Sequence, residues 1–199
     1  MNGLSVDMLR RLSYKSGLGR SLTNTIHRFD RDELLSELFF VSEWLQEEIG
    51  KNDVTDYRIK SRSSIIRKYE RYYPNRPVIS TFNDILGFRA VCDRYDGIGI
   101  AGDELFRTVD MSGGKTNDDG YRGVHIYFHI DNYHYPIEIQ FNTIFDRQFN
   151  DWLHMDLYKK GFSDNIGQQL RNSYEKGLIR DYNDIKKELQ NVLSYRKGL

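Results

Sequence analysis

Residues 137–142, "IEIQFN", alternate strictly, with Ile137, Ile139 and Phe141 interleaved by Glu138, Gln140 and Asn142. That is the period of a half-buried β-strand. A carboxylate followed by amides on the open face can do chemistry. The carboxylate can take up a proton or hold a hard cation, and the amides can donate to anionic oxygens. The preceding run, "VHIYFHI" at 124–130, puts His125, Tyr127 and His129 on one face and Val124, Ile126, Phe128 and Ile130 on the other. If the two polar rows share a sheet face, His125 or Tyr127 lies near Glu138. Most hairpins also have a polar side that merely faces water. Here, however, the polar residues are His, Glu and Gln rather than the Lys and Thr of an idle surface.

Two further groups carry charge suited to the same chemistry. Asp84, in "DILGFR", precedes a buried-looking strand that contains Arg89. Alone, such an Asp is more often a cap or turn residue. Brought beside Glu138, it would complete a two-carboxylate site for Mg2+, which prefers oxygen ligands shared with substrate phosphates. In "RIKSRSSIIRK", residues 58–68, Lys60, Ser64 and Lys68 are spaced by four, so the last two share a helix face near the helix start. A helix N-terminus flanked by Arg58 and Lys60 is a natural phosphate seat. No G-x-x-x-x-G-K-[ST] occurs, which excludes a P-loop, and "SGGKTNDDG" at 112–120 lacks that spacing.

The whole chain fits a polyanionic ligand better than a nucleic-acid coat. Its 199 residues carry no formal net charge, yet residues 58–76 hold seven Arg or Lys against one acid, Glu70. A local basic stripe on a neutral protein suits a single polyphosphate, although a solvated helix face has the same pattern. General nucleic-acid binding is not expected. Cys92 is the only cysteine, so neither an internal disulfide nor a cysteine-rich metal framework is possible. Aromatics reach 14%, with 14 Tyr, which supplies faces for packing or for stacking on bases. No apolar run is long enough to cross a membrane and none at the N-terminus is of signal-peptide type, so a cytoplasmic protein is expected.

The elements that must position these groups follow from periodicity. A short helix is expected over 6–12, and a longer one from 31, capped by Asp30, with Leu34, Leu35, Leu38, Val41, Trp44 and Leu45 as its apolar stripe. Gly50 and Asn52 end it. A strand at 54–60 leads to a helix opened by Ser61 and stopped by "PNRP". Strands are expected at 87–93 and 106–111, and then a hairpin in which "DN" separates 124–130 from 133–141. A helix over 144–158, broken by Gly161, and two tail helices divided near Gly177 complete the pattern. The tail carries a stripe of Leu178, Ile179, Tyr182, Ile185, Leu189 and Val192. The fold class is α+β, a mixed sheet of about five strands flanked by helices, with helical segments at both ends. The expected organisation is an N-terminal helical segment at 1–52, a core at 53–160 and C-terminal helices at 161–199.

In this order, the pieces resemble the synthetase domain of the RelA/SpoT family, which makes the alarmone (p)ppGpp. "RIKSRSSIIRK" is similar to the family's R-x-K-x-x-x-S-I, "DILGFR" to D-I-x-G-x-R, and "GYRGVH" to G-Y-R-S/G-x-H. "IEIQFNT" is similar to E-I-Q-x-R-T, and "HMDLYK" to H-x-x-x-Y-K. The five motifs span residues 58–159, and the small single-domain synthetases are the closest in size. The resemblance implies a nucleotidyltransferase-like fold and a reaction in which ATP gives its β,γ-diphosphate to the 3′-hydroxyl of a guanine nucleotide. It further implies that Arg58 and Arg89 sandwich adenine, that Lys60, Ser64 and Lys68 hold ATP phosphates, and that Asp84 and Glu138 bind Mg2+. Glu138 would also help deprotonate the attacking hydroxyl. Tyr121 would stack on the acceptor base, with His125 beside the acceptor phosphates or ribose and Gln140, Lys115 and Arg122 completing that side.

Three departures from the family pattern concern the acceptor side. Asn142 replaces the arginine of E-I-Q-x-R-T. Lys115 stands six residues ahead of Tyr121, with Asp118 and Asp119 between them. The segment 96–111 is short and lacks an expected helix. Two alternatives therefore stand beside the leading one. The first is a toxin-like synthetase acting on adenine nucleotides or the tRNA 3′ end. The second is an inactive nucleotide-binding regulator, disfavoured because it would not need both carboxylates. The tail helices suit either covering the sheet or pairing copies of the chain into a homo-oligomer.

Overall fold

The computed structural model describes residues 4–51, 54–99, 103–158 and 164–197. The chain forms two compact units, each drawn from several stretches of sequence. The first comprises Met1–Ala90, Gly99–Val109 and His125–Gln140, and the second Val91–Ile98, Asp110–Val124 and Phe141–Leu199.

The first unit holds most of a five-stranded sheet in the order β1-β2-β5-β4-β3, where β1 is Tyr57–Ile59, β2 Leu86–Val91, β3 Phe106–Asp110, β4 Val124–Phe128 and β5 Ile137–Asn142. The sheet is mixed. β1 pairs antiparallel with β2, Arg58 opposite Gly87. β3 runs antiparallel to β4, since His129 N donates to Leu105 O at 2.8 Å and Met111 N to Gly123 O at 2.9 Å. β2 and β5 run parallel, with Gly87 beside Glu138 and Cys92 N donating to Asn142 O. The α+β class expected from periodicity is thus observed.

Three helices pack in the same unit: α1 (Val6–Leu12), α2 (Arg31–Gly50) and α3 (Arg62–Tyr72). The Asp30 carboxylate accepts from Asp32 N and Glu33 N, and Ser61 Oγ accepts from Ser64 N, so both expected caps form. The stripe of α2 is buried at Leu34, Leu35, Leu38, Val41 and Leu45, with Ile49 added, while Trp44 remains half-buried. Asn52, an expected end signal for α2, lies outside the described residues. A short helical turn, α4 (Val78–Thr81), was not signalled by the sequence because four residues carry no readable period.

The hairpin differs from the two-residue connection expected at "DN". β4 stops at Phe128 and β5 starts at Ile137. Asp131 Oδ1 accepts from Tyr133 N and His134 N, turning the chain, and Pro136 has no N–H to extend the ladder. The intervening backbone pairs instead with the N-terminal segment. Ser16 N donates to Tyr133 O and Leu22 N to Asn132 O, both at 2.8 Å, and Tyr135 N donates to Tyr14 O at 3.0 Å. Tyr135 Oη donates to Glu37 on α2 at 2.8 Å, which ties the same segment to the helix layer.

The second unit contains α5 (Ile144–Leu153), a π-helical turn at His154–Tyr158, α6 (Asp164–Glu175) and α7 (Tyr182–Lys197). Thr143 caps α5, its Oγ1 accepting from Asp146 N and donating to Asp146 Oδ2. Phe149, Trp152, Leu153, Leu157, Ile166, Leu170, Tyr174, Ile179, Ile185 and Leu189 form its core. Gly177, at φ +70°, divides α6 from α7 as expected, but Leu178 is exposed rather than part of the stripe. Gly161, the expected break after α5, lies outside the described residues. Among the described residues between β2 and β3 there is no helix, as the short spacing predicts.

Candidate active site

One face of the sheet in the first unit gathers the residues that the resemblance assigns to ATP. Arg58 pairs with Gly87, and Gly87 and Arg89 share a face of β2, so Arg58 and Arg89 are diagonal neighbours on that face. Gly87 leaves the face open beside Glu138. A Cβ placed there would already lie 3.5 Å from Glu138 Oε2.

Asp84 is the centre of a cluster of cations. Lys60 Nζ lies 2.7 Å from Asp84 Oδ2, Lys68 Nζ 2.8 Å from Oδ1, and Arg58 Nη2 3.8 Å from Oδ2. Lys68 reaches it from α3 and Lys60 from just past β1, where Lys60 N is fixed by Ile85 O at 2.8 Å. Burial would raise the Asp84 pKa, but the charges and hydrogen bonds of Lys68 and Lys60 outweigh it, and the carboxyl lies below its ordinary range. Burial pushes the Lys60 ammonium down, opposed by Asp84 and aided by the Lys68 and Arg58 charges. A buried carboxylate holding lysines that are partly stripped of water is a counterion that an incoming polyphosphate can replace. Ser64 lies at the N-terminus of α3, its Oγ held by Ser61 Oγ at 3.0 Å and Arg67 Nη2 at 3.1 Å.

Glu138 is buried on β5, and both its oxygens are occupied. His125 Nδ1 and Tyr127 Oη each approach Oε1 to 3.1 Å, and Gln140 Nε2 donates to Oε2 at 2.6 Å. Burial raises the Glu138 pKa and the Asp84 charge adds to that, yet the His125 and Gln140 interactions prevail and hold it below the usual range. Glu138 is therefore ionised at neutral pH. Tyr127, which the alternation of β4 puts near Glu138 although no family motif names it, does reach that carboxylate. Among the described residues no three His, Cys, Asp or Glu side chains form a metal cluster. Two buried carboxylates that sense each other's charge nevertheless suit Mg2+, which is commonly held by one or two carboxylates together with substrate phosphates.

Tyr121, Lys115 and Arg122 belong to the second unit, whereas His125 and Gln140 belong to the first. Lys115 Nζ lies 5.0 Å over the Tyr121 ring and 2.6 Å from Asp119 Oδ2. Arg122 makes a two-pronged pair with Asp118, at 2.8 and 2.9 Å. Each cation of this loop thus has its own carboxylate. Asn142, where the family pattern has arginine, is buried and donates to Arg122 O at 2.9 Å. Asn150, on α5, donates to the same carbonyl at 2.7 Å and accepts from Arg122 N at 3.2 Å. Asn142 is a clamp on the loop, not a pocket cation. A Cβ on Gly123 would fall 2.5 Å from Asn142 Nδ2, so a glycine is needed for that clamp to close. The role of Asn150 had no signal in the sequence, because a polar residue on an amphipathic helix reads as solvent-facing. Lys159, the last residue of the fifth motif, lies outside the described residues.

The crystal structure of the small alarmone synthetase 1 from Bacillus subtilis is 19% identical, with a TM-score of 0.44 over 84% of this chain and 98% of that one. The same enzyme bound to its product pppGpp gives 0.45, covering 83% and 97% at 19% identity. Small alarmone synthetase 2 from Bacillus subtilis is 24% identical, with a TM-score of 0.42 over 84% of this chain and 93% of that one. A comparison with curated protein sequences gave no match. Residues 57–163, more than half of the chain, match the family profile described as "Region found in RelA / SpoT proteins". That segment carries all the motif residues set out above, and the chain belongs to the RelA/SpoT family.

Proposed function

We propose that the protein transfers the β,γ-diphosphate of ATP to the 3′-hydroxyl of a guanine nucleotide. The observation that carries this reading is the pairing of Asp84 with Lys60 and Lys68 on the sheet face that also holds the ionised Glu138. The 3′-oxygen attacks the β-phosphorus, the bond from that phosphorus to the α,β-bridging oxygen breaks, and AMP leaves. Glu138 receives the hydroxyl proton, while His125, Tyr127 and Gln140 hold its carboxylate in place. Lys60 and Lys68 release Asp84 and turn to the phosphates, and Ser64 at the start of α3 adds a donor. Asp84 and Glu138 would hold Mg2+, which when bound neutralises charge on the transferring phosphates.

Arg58 and Arg89, diagonal on one sheet face, flank adenine. Arg58→Ala and Arg89→Ala are each expected to raise the KM for ATP about tenfold, and Arg89→Lys to fail as a rescue, because an ammonium cannot stack as a plane. Full rescue by Lys, read from initial rates, would reduce Arg89 to a point charge.

The acceptor is read from Tyr121 and its loop. Asp118 and Asp119, paired with Arg122 and Lys115, add negative charge beside this loop and so disfavour an extra acceptor phosphate. GDP or GMP is therefore expected to serve at least as well as GTP. Tyr121→Ala should raise the acceptor KM and leave that for ATP unchanged. Tyr121→Phe should be mild, since the π-face offered to a base remains. The test is incubation of labelled ATP and Mg2+ with GTP, GDP, GMP, ATP or tRNA. Strong GTP preference would refute the charge argument, and transfer to tRNA or ATP alone would refute the guanine nucleotide.

A further inference from the structure

The loop bearing Tyr121 is gripped from a direction that the family motifs do not cover. Gly167, on α6, has its Cα against the loop backbone: a Cβ there would sit 2.0 Å from Asp119 O, a distance no real side chain tolerates. The contact is reciprocal, for a Cβ on Gly120 would lie 2.4 Å from Gly167 O and 3.3 Å from Arg171 Cβ. Gly120 has φ +85°, so the turn needs glycine on conformational grounds as well. Helix and loop therefore touch backbone to backbone.

One helical turn beyond Gly167, on the same face of α6, comes Arg171. It is buried, and its guanidinium binds Asp146 through Nη2 and Glu175 through Nε, at 2.7 Å for the latter. The rings of Phe145, Phe149 and Tyr174 surround it at 5.3–5.8 Å. Among the described residues Nη1 has no hydrogen-bond partner. Arg171 thus fastens α6 to α5 at the level where Gly167 meets the loop. Its charge also reaches Asp118, whose carboxyl is held low first by the Arg122 hydrogen bond and further by Arg122 and Arg171. α5 in turn grips the loop through Asn150.

We infer that α6 is part of the acceptor site, with Gly167 and Arg171 as positioning residues that fix the 118–122 loop and so the ring of Tyr121. This rests on the acceptor role proposed for Tyr121, and it lies beyond the 57–163 segment shared with the family. Arg171→Met and Gly167→Ala are expected to raise the acceptor KM about tenfold while the ATP KM stays within about twofold, and Arg171→Lys to recover part of the loss. Hydrogen exchange of the amides at 118–122, measured on the full chain without nucleotide, should be faster in Arg171→Met than in wild type. Unchanged exchange, or parallel rises in both KM values, would overturn the inference. If Arg171→Met does not fold, Arg171→Lys and Gly167→Ala decide by the same two readings. Wild-type protein that transfers to no acceptor would defeat the functional reading alone, and the exchange comparison would still decide whether α6 holds the loop.

Discussion

Glu138→Gln is expected to lower diphosphate transfer by about a thousandfold or more, with the protein still folded. The substitution keeps the shape of the side chain. Its amide oxygen can accept from Tyr127 and His125 as Oε1 does now, and a flip of the Gln140 amide would satisfy the new NH2 group. Thermal unfolding should therefore shift by the equivalent of about 1 kcal/mol. What disappears is the charge. In the wild type that charge persists as pH falls, because the Glu138 pKa lies below the ordinary carboxylate range. Wild-type activity should accordingly show an acid limb displaced downward from that of a free carboxylate, and the residual activity of Glu138→Gln should lack that limb. A variant within a few-fold of wild type would remove Glu138 from the reaction.

Asp84→Asn should also abolish transfer, but with a different thermodynamic signature. Asp84 is the counterion of Lys60, Lys68 and Arg58. Its loss leaves half-buried cations repelling one another and should cost about 3 kcal/mol, or roughly 10 °C in Tm. The sign with pH follows from the lowered Asp84 pKa. Its stabilisation is fully present above the unfolded-state carboxylate pKa and fades as pH falls through the folded value, so the gap between wild type and variant should narrow in acid. In the absence of Mg2+, ATP should bind Asp84→Asn more tightly than wild type and raise its Tm more, because the phosphates no longer compete with a carboxylate for the lysines. Weaker binding by the variant under those conditions, measured by calorimetry, would show that Asp84 is not a stand-in for phosphate.

Much of this site's layout was legible because local pattern fixes where its residues stand. Alternation alone put Glu138, Gln140, His125 and Tyr127 on one sheet face, and the spacing of Lys60, Ser64 and Lys68 set them near a helix start that Ser61 does cap. What escaped depended on partners distant in the chain. Asn142 could be read as a missing arginine, but its clamp on Arg122 O exists only once β5 and the loop meet. The "DN" turn looked like a tight hairpin because nothing near residue 131 discloses that residues 14–22 will take its hydrogen bonds. Leu178 fitted a helical stripe by count, yet Gly177 turns the backbone just before it and resets the register.

The pairing of residues 14–22 with 132–135 also bears on the order in which the protein is built. During synthesis the first segment leaves the ribosome long before its partner exists, and closing contacts of such high sequence separation is slow. The helices α1, α2 and α3 can gather early through local contacts, but the two strands carrying His125, Tyr127 and Glu138 gain this anchorage only when residues 14–22 are stitched to a segment made more than a hundred residues later. A nascent chain halted before residue 132 would hold its lysines and Asp84 without Glu138, so the full set of charged groups on that sheet face is assembled late.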